Sequence, residues 1–85
     1  MADYKVVVRQ SAINELSGID TKALRAVIRL IGSLSKSATA DAVKFSARNF
    51  YHARKGIYRI SYFVDDASRK VDVFKVGQRE DIFEQ

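Results

Sequence analysis

The stretch HARKGIYR puts one imidazole, His52, and three cations, Arg54, Lys55 and Arg59, within eight residues. A further guanidinium, Arg79, follows twenty residues later. Guanidiniums grip phosphate bidentately and stabilise the extra charge of a pentacoordinate phosphorus. An imidazole moves protons near neutral pH. Together these groups have the chemistry to cleave RNA without a metal. A ribose 2′-OH attacks the adjacent phosphorus once a base takes its proton, and an acid protonates the departing 5′-oxygen.

Other chemistries find little support. There is no Cys, so disulfides, thiolate metal sites and a Cys nucleophile are excluded. One His and scattered carboxylates give no metal-ligand spacing, and neither a metal nor a cofactor is expected. The four Gly are isolated and form no phosphate loop. No Ser-His-Asp arrangement is readable.

Net charge is +5, and its location matters more than its size. Between Asp41 and Asp65 there is no acid, while Lys44, Arg48, Arg54, Lys55 and Arg59 all lie there. The other ten basic residues balance the ten acidic ones. The whole excess belongs to one segment, and a local positive field suits a polyanion such as nucleic acid.

The elements that must position these groups follow from periodicity. Residues 1–85 make one domain, too short for a second core. YKVVVR, residues 4–9, is a β-rich first strand. Ser11 is expected to cap a short helix, SAINELSGI, with Ile13, Leu16 and Ile19 on one side. Asp20 or Thr21 caps a second helix reaching about Lys36. Its apolar stripe is Leu24, Val27, Ile28, Ile31 and Leu34. Lys22, Arg25, Arg29, Ser33 and Lys36 lie opposite, and Arg25 and Arg29 are candidate RNA contacts there. SKSATADA is a loop.

From about Ala47 the period becomes two. One strand runs to Lys55, Gly56 turns the chain, IYRISYFV returns, DDASR turns again and VDVFKVG is the last strand. The expectation is an α+β domain of order β-α-α-β-β-β, an antiparallel sheet with two helices on one face. Alternation puts Phe50, His52 and Arg54 together, and Tyr58, Ile60, Tyr62 and Val64 under the helices. Arg59 then lies on the open face, where Arg54 and Arg79 can join it. The longest apolar run is far short of a membrane span. The first residues read as a strand and not a secretion signal, so a cytoplasmic protein is expected.

ARKGIYRISYFVDD followed by VDVFKVGQREDIF resembles the closing strands of the RelE/ParE superfamily of bacterial and archaeal toxins. YKVVVRQSAINELSGI is similar to the family's opening strand and short helix, and element order agrees over nearly the whole chain. The tight SGID link between the helices resembles the RelE-like branch. ParE-like chains, which poison DNA gyrase, usually carry longer paired helices with an aromatic-Gly stretch between them.

The resemblance implies a type II toxin that cleaves mRNA in the ribosomal A site, with a RelB-like, largely acidic antitoxin as partner and a possible heterotetramer. It implies that Arg59 contacts the scissile phosphate, Arg79 is a second phosphate group, and Arg54 and Lys55 hold RNA backbone. His52 falls where some members place a basic catalytic residue. Lys44 and Arg48 add electrostatic affinity. Two positions depart from the family pattern: Phe83 stands for a Tyr active in proton transfer, and Gln78 for a His. The acid must then come from elsewhere, with His52 foremost, or turnover is slow. The alternatives are a ParE-like gyrase poison and a weakly catalytic RNA- or ribosome-binding relic.

Overall fold

A computed structural model describes residues 3–37, 43–44 and 49–78, and for Val43 and Lys44 the backbone alone. The order is β1 (Lys5–Val8), α1 (Gln10–Leu16), α2 (Thr21–Ser33), β2 (Val43–Lys44), β3 (Phe50–Lys55), β4 (Tyr58–Asp65) and β5 (Lys70–Gln78). The strands form one sheet in the order β1-β5-β4-β3-β2.

Two features depart from the sequence expectation. The sheet is mixed, because β1 runs parallel to β5, with Val6 beside Val71 and Val8 beside Val73. Parallel neighbours need a crossover between them, and the helices supply one. There is also an additional edge strand, β2, whose Val43 faces His52 and whose Lys44 faces Tyr51. Two residues are too few for a period of two to be visible in sequence.

The core lies between the sheet and the helices. Ile60, Tyr62 and Val64 of β4, Val71, Val73 and Val76 of β5, and Ala53 of β3 are buried there with Ala12, Val27, Ile31 and Leu34. Each fully buried aliphatic of this kind is worth about 1.5–3 kcal/mol relative to exposure. The expected stripe on α2 is narrower than five residues. Val27, Ile31 and Leu34 carry it, Leu30 packs partly against it, and Ile28 is 53% exposed.

The α1 expectation is corrected at two points. Ile13 points outward, 45% exposed, and the buried residue is Ala12. Ser11 does not cap the helix. Arg9 holds the N-cap position in extended backbone without a side-chain cap, and the Ser11 hydroxyl instead donates to the Phe74 carbonyl at 3.2 Å. Asp20 does cap α2, its carboxylate accepting from the Lys22 amide at 3.3 Å.

Alpha1 serves mainly to finish the sheet. β1 ends opposite Val73, so among the described residues no strand pairs with the rest of that β5 edge. Ser11 satisfies the Phe74 carbonyl, and Glu15 accepts from the Val76 amide at 2.9 Å and meets Lys75 Nζ at 3.3 Å. A buried or half-buried edge needs such partners.

One irregularity controls what β5 shows to each face. Opposite β4, Ser61 pairs with Lys75 but Tyr62 pairs with Val73, leaving Phe74 as the extra residue of a bulge. The bulge shifts alternation by one. Val71 and Val73 face the helices, and Val76 does so too, beside Ile60. Gly77 therefore falls opposite Arg59.

Candidate nucleic-acid interface

β3 and β4 form a tight hairpin through Gly56, whose φ of 62° is in the left-handed region that glycine enters without a Cβ clash. That turn sets the register. Arg54 pairs with Arg59, and His52 pairs with Ser61. Both pairs lie on the face away from the helices, as alternation predicts. Two guanidiniums placed opposite each other repel, and like pairs at such positions are destabilising. An anion between them turns that repulsion into two attractions. Gly77, beyond Arg59, adds no side chain to the row.

Arg54 and Lys55 are exposed near the turn. Arg59 is not: it is 4% exposed, and His52 is 6% exposed, although both occupy the sheet face opposite the helices. The open, solvent-facing guanidinium expected from alternation is corrected to this extent. An anion in solution therefore has little direct access to Arg59 in this arrangement. In exchange, a charge held out of bulk water interacts more strongly with an anion.

Ser61, which alternation puts on the same face as Arg59, completes the buried polar row. Its hydroxyl lies 2.9 Å from His52 Nδ1, both groups being buried. Burial pushes the His52 pKa down, and the Arg59 guanidinium lowers it further. His52 is thus neutral at pH 7, suited to accept a proton and poorly suited to donate one. The lowered pKa favours the base role over the acid role expected of His52. The Tyr62 phenol is no substitute: burial, with a smaller contribution from Tyr51, pushes its pKa up to about 12, and it faces the helices.

The remaining candidates are not gathered here. Arg25 and Arg29 are exposed on the outer side of α2, across the sheet from Arg59. Lys44 lies on β2, beside Tyr51 of β3, without a described side chain. Arg48, Arg79 and Phe83 lie outside the described residues. Gln78 ends β5, exposed and opposite Tyr58. Asp72 of β5 is taken by Arg9. The Arg9 Nε donates at 3.0 Å to one carboxylate oxygen and Nη2 at 2.8 Å to the other.

No protein-family model matches the chain, and no curated protein matches it significantly. Solved structures do. The RelBE2 toxin–antitoxin complex of Mycobacterium tuberculosis is similar with 26% identity and a TM-score of 0.81, over 91% of this chain and 99% of that one. The archaeal RelE–RelB complex of Pyrococcus horikoshii follows with 18% identity and a TM-score of 0.79, over 91% and 96%. A free-state variant of E. coli RelE has 19% identity and a TM-score of 0.77, over 99% and 93%. The architecture is thus the small α+β domain of these toxins, with two helices on a mixed sheet. In fold, and at 26% identity to the M. tuberculosis complex, the chain is similar to the RelE-like branch of the RelE/ParE superfamily.

Proposed function

We propose that this protein is the toxin of a type II toxin–antitoxin module, an endoribonuclease that cleaves mRNA in the ribosomal A site and so stops translation. The observation that carries this reading is the facing pair Arg54 and Arg59 beside a neutral His52, a row of like charge that an anion stabilises. The likeness to RelBE complexes supports the antitoxin partner. An acidic, RelB-like segment that folds on binding would suit the basic sheet, in a possible heterotetramer. No helix among the described residues is long and apolar enough to cross a membrane, and the proposed site of action is the cytoplasm.

In this mechanism Arg59, with Arg79 as second anchor, holds the scissile phosphate. Arg54 and Lys55 hold the flanking backbone, with Lys44 and Arg48 adding field and Arg25 and Arg29 contacting more distant RNA. His52 takes the proton of the 2′-OH as that oxygen bonds phosphorus. The bond to the 5′-oxygen breaks, leaving a 2′,3′-cyclic phosphate, and the departing oxygen takes its proton from water. Gln78 and Phe83 supply no acid. The guanidiniums must stabilise the departing charge, so turnover is expected to be slower than in relatives with an ionisable group there.

The test is cleavage of an mRNA with an empty A site on purified ribosomes, mapped by primer extension, for the wild type and Arg59→Ala. Position-specific cuts that vanish in the variant are expected. Ribosome binding without cuts by either protein would favour the non-catalytic relic. Absence of both, with gyrase cleavage complexes accumulating, would move the chain to the ParE-like activity.

A further inference from the structure

The sheet face that carries Arg59 has a second feature, farther along the hairpin and built from different residues. Phe63, Phe50 and Phe74 come from three adjacent strands and form one cluster. Phe63 and Phe74 stack at 4.8 Å with 23° between planes, and Phe50 lies 5.3 Å from each. The bulge in β5 makes this possible, because Phe74 is its extra residue. Phe63 is 38% exposed, although it sits in a strand whose other apolar side chains are mostly buried.

The cluster is continuous with the polar row. The His52 ring is 5.0 Å from that of Phe50. At the other end the Arg9 guanidinium lies 5.9 Å over the Phe74 ring. Phe63 is four residues from Arg59 along β4, roughly 13 Å at 3.3 Å per residue, a span of a few nucleotides.

We propose that the Phe63–Phe74 surface is a stacking platform for an unpaired nucleobase of the RNA strand whose phosphate Arg59 holds. This rests on the RNA-cleaving reading of the same face. Every base has a π-face, and exposed aromatic rings beside a cationic track are how single strands are held without sequence readout. The surroundings select an anionic strand over an apolar peptide. Arg54 and Lys55 are exposed beside this face. Among the described residues, Asp72 and Arg9 neutralise each other in an ion pair, and Asp65 accepts from the Ala67 and Ser68 amides of the following turn. Phe63 keeps 38% of its surface open while stacked on Phe74, which leaves part of one ring for an unpaired base to cover, where an apolar helix would need a groove.

The experiment measures binding of a labelled, non-cleavable 2′-O-methyl single-stranded RNA to the full chain by fluorescence anisotropy, comparing wild type with Phe63→Leu, Phe63→Ala and Phe63→Trp. Stacking of this kind predicts a loss of about 5- to 150-fold for the Ala form. The Leu form, which keeps bulk but no π-face, should lose most of the same affinity, while its dependence on salt stays as in the wild type. The Trp form should bind at least as well as the wild type. The chain has no other Trp, so quenching of its emission by bound RNA reports the contact directly. Equal affinity of the Phe and Leu forms, with Trp emission unchanged by bound RNA, overturns the platform and leaves Arg59-dependent cleavage standing. Failure of the wild type to bind free RNA at all overturns the platform, while the cleavage reading is judged separately by the ribosome assay.

Discussion

The two faces of the sheet solve different problems with the same strands. Beneath the helices, Ile60, Tyr62, Val71, Val73 and Val76 pack with almost no exposure. On the other face the same strands hold His52, Arg59 and Ser61 buried and Phe63 exposed, an inversion of the usual distribution. One face minimises free energy. The other keeps charge and aromatic surface where a ligand would stabilise them. The difference teaches that burial alone does not mark the core of this protein, since the buried residues are apolar on one side of β4 and polar or charged on the other.

Substitutions that trade on this contrast should separate the faces. The largest effect is expected at Ile60→Ala, which opens a cavity in the helix-covered layer and should cost about 2–5 kcal/mol in urea denaturation. Phe63→Ala, three residues along, should cost far less stability while affecting RNA binding. If the two substitutions destabilise equally, the faces are one core and the contrast fails.

Acidification should weaken the fold through the polar side. The His52 pKa is depressed in the folded state, so between that depressed value and the unfolded value of about 6.5 the unfolded chain binds more protons. His52 therefore contributes its full stability above about pH 6.5 and loses it as pH falls through that window. Melting temperatures across that range, wild type against His52→Gln, should show the slope flatten in the variant. Ser61→Ala should move the His52 titration seen by imidazole NMR and Ser61→Thr should restore it, because the 2.9 Å contact is to the hydroxyl.

Removing one charge of the facing pair should sharpen the contrast with an effect of opposite sign. Arg54→Thr should stabilise the free protein by roughly 0.2–1 kcal/mol by relieving like-charge opposition, and should weaken RNA binding. A loss of stability would mean the pair is not repulsive in the unliganded chain. The smallest effect belongs to the second hairpin turn. Arg69 sits at φ 52°, so Arg69→Gly should relieve strain and gain at most about 1 kcal/mol in thermal melts, without touching cleavage.

Much of this arrangement is readable from sequence, for a physical reason. The period of two from Phe50 to Val64 assigns each side chain to a face, and Gly56 sets where the hairpin turns, so the Arg54–Arg59 pairing follows. β5 resists the same treatment, because Phe74 breaks the alternation and nothing in VDVFKVG shows which residue is extra. Alternation gives the face of Ser61 but not its partner, because a lone Ser on a strand has no motif and only the register reveals His52 across from it. The exposure of Ile28 escaped because helical periodicity marks an arc wider than the strip a helix lays on a sheet. The parallel placement of β1 lies in the path of the chain, which strand composition does not encode. The burial of Arg59 depends on the packing around it, and a face assignment cannot supply that.

The side chains with which α1 finishes β5 have a further consequence, for encounters between copies of the protein. A free strand edge is a template on which another chain can add a strand. Here the carbonyl of Phe74 and the amide of Val76 are already answered by Ser11 and Glu15. A second molecule approaching that edge finds its hydrogen bonds taken and a helix in the way. The short first strand thus leaves no open template on this stretch of β5, although β5 runs on past it.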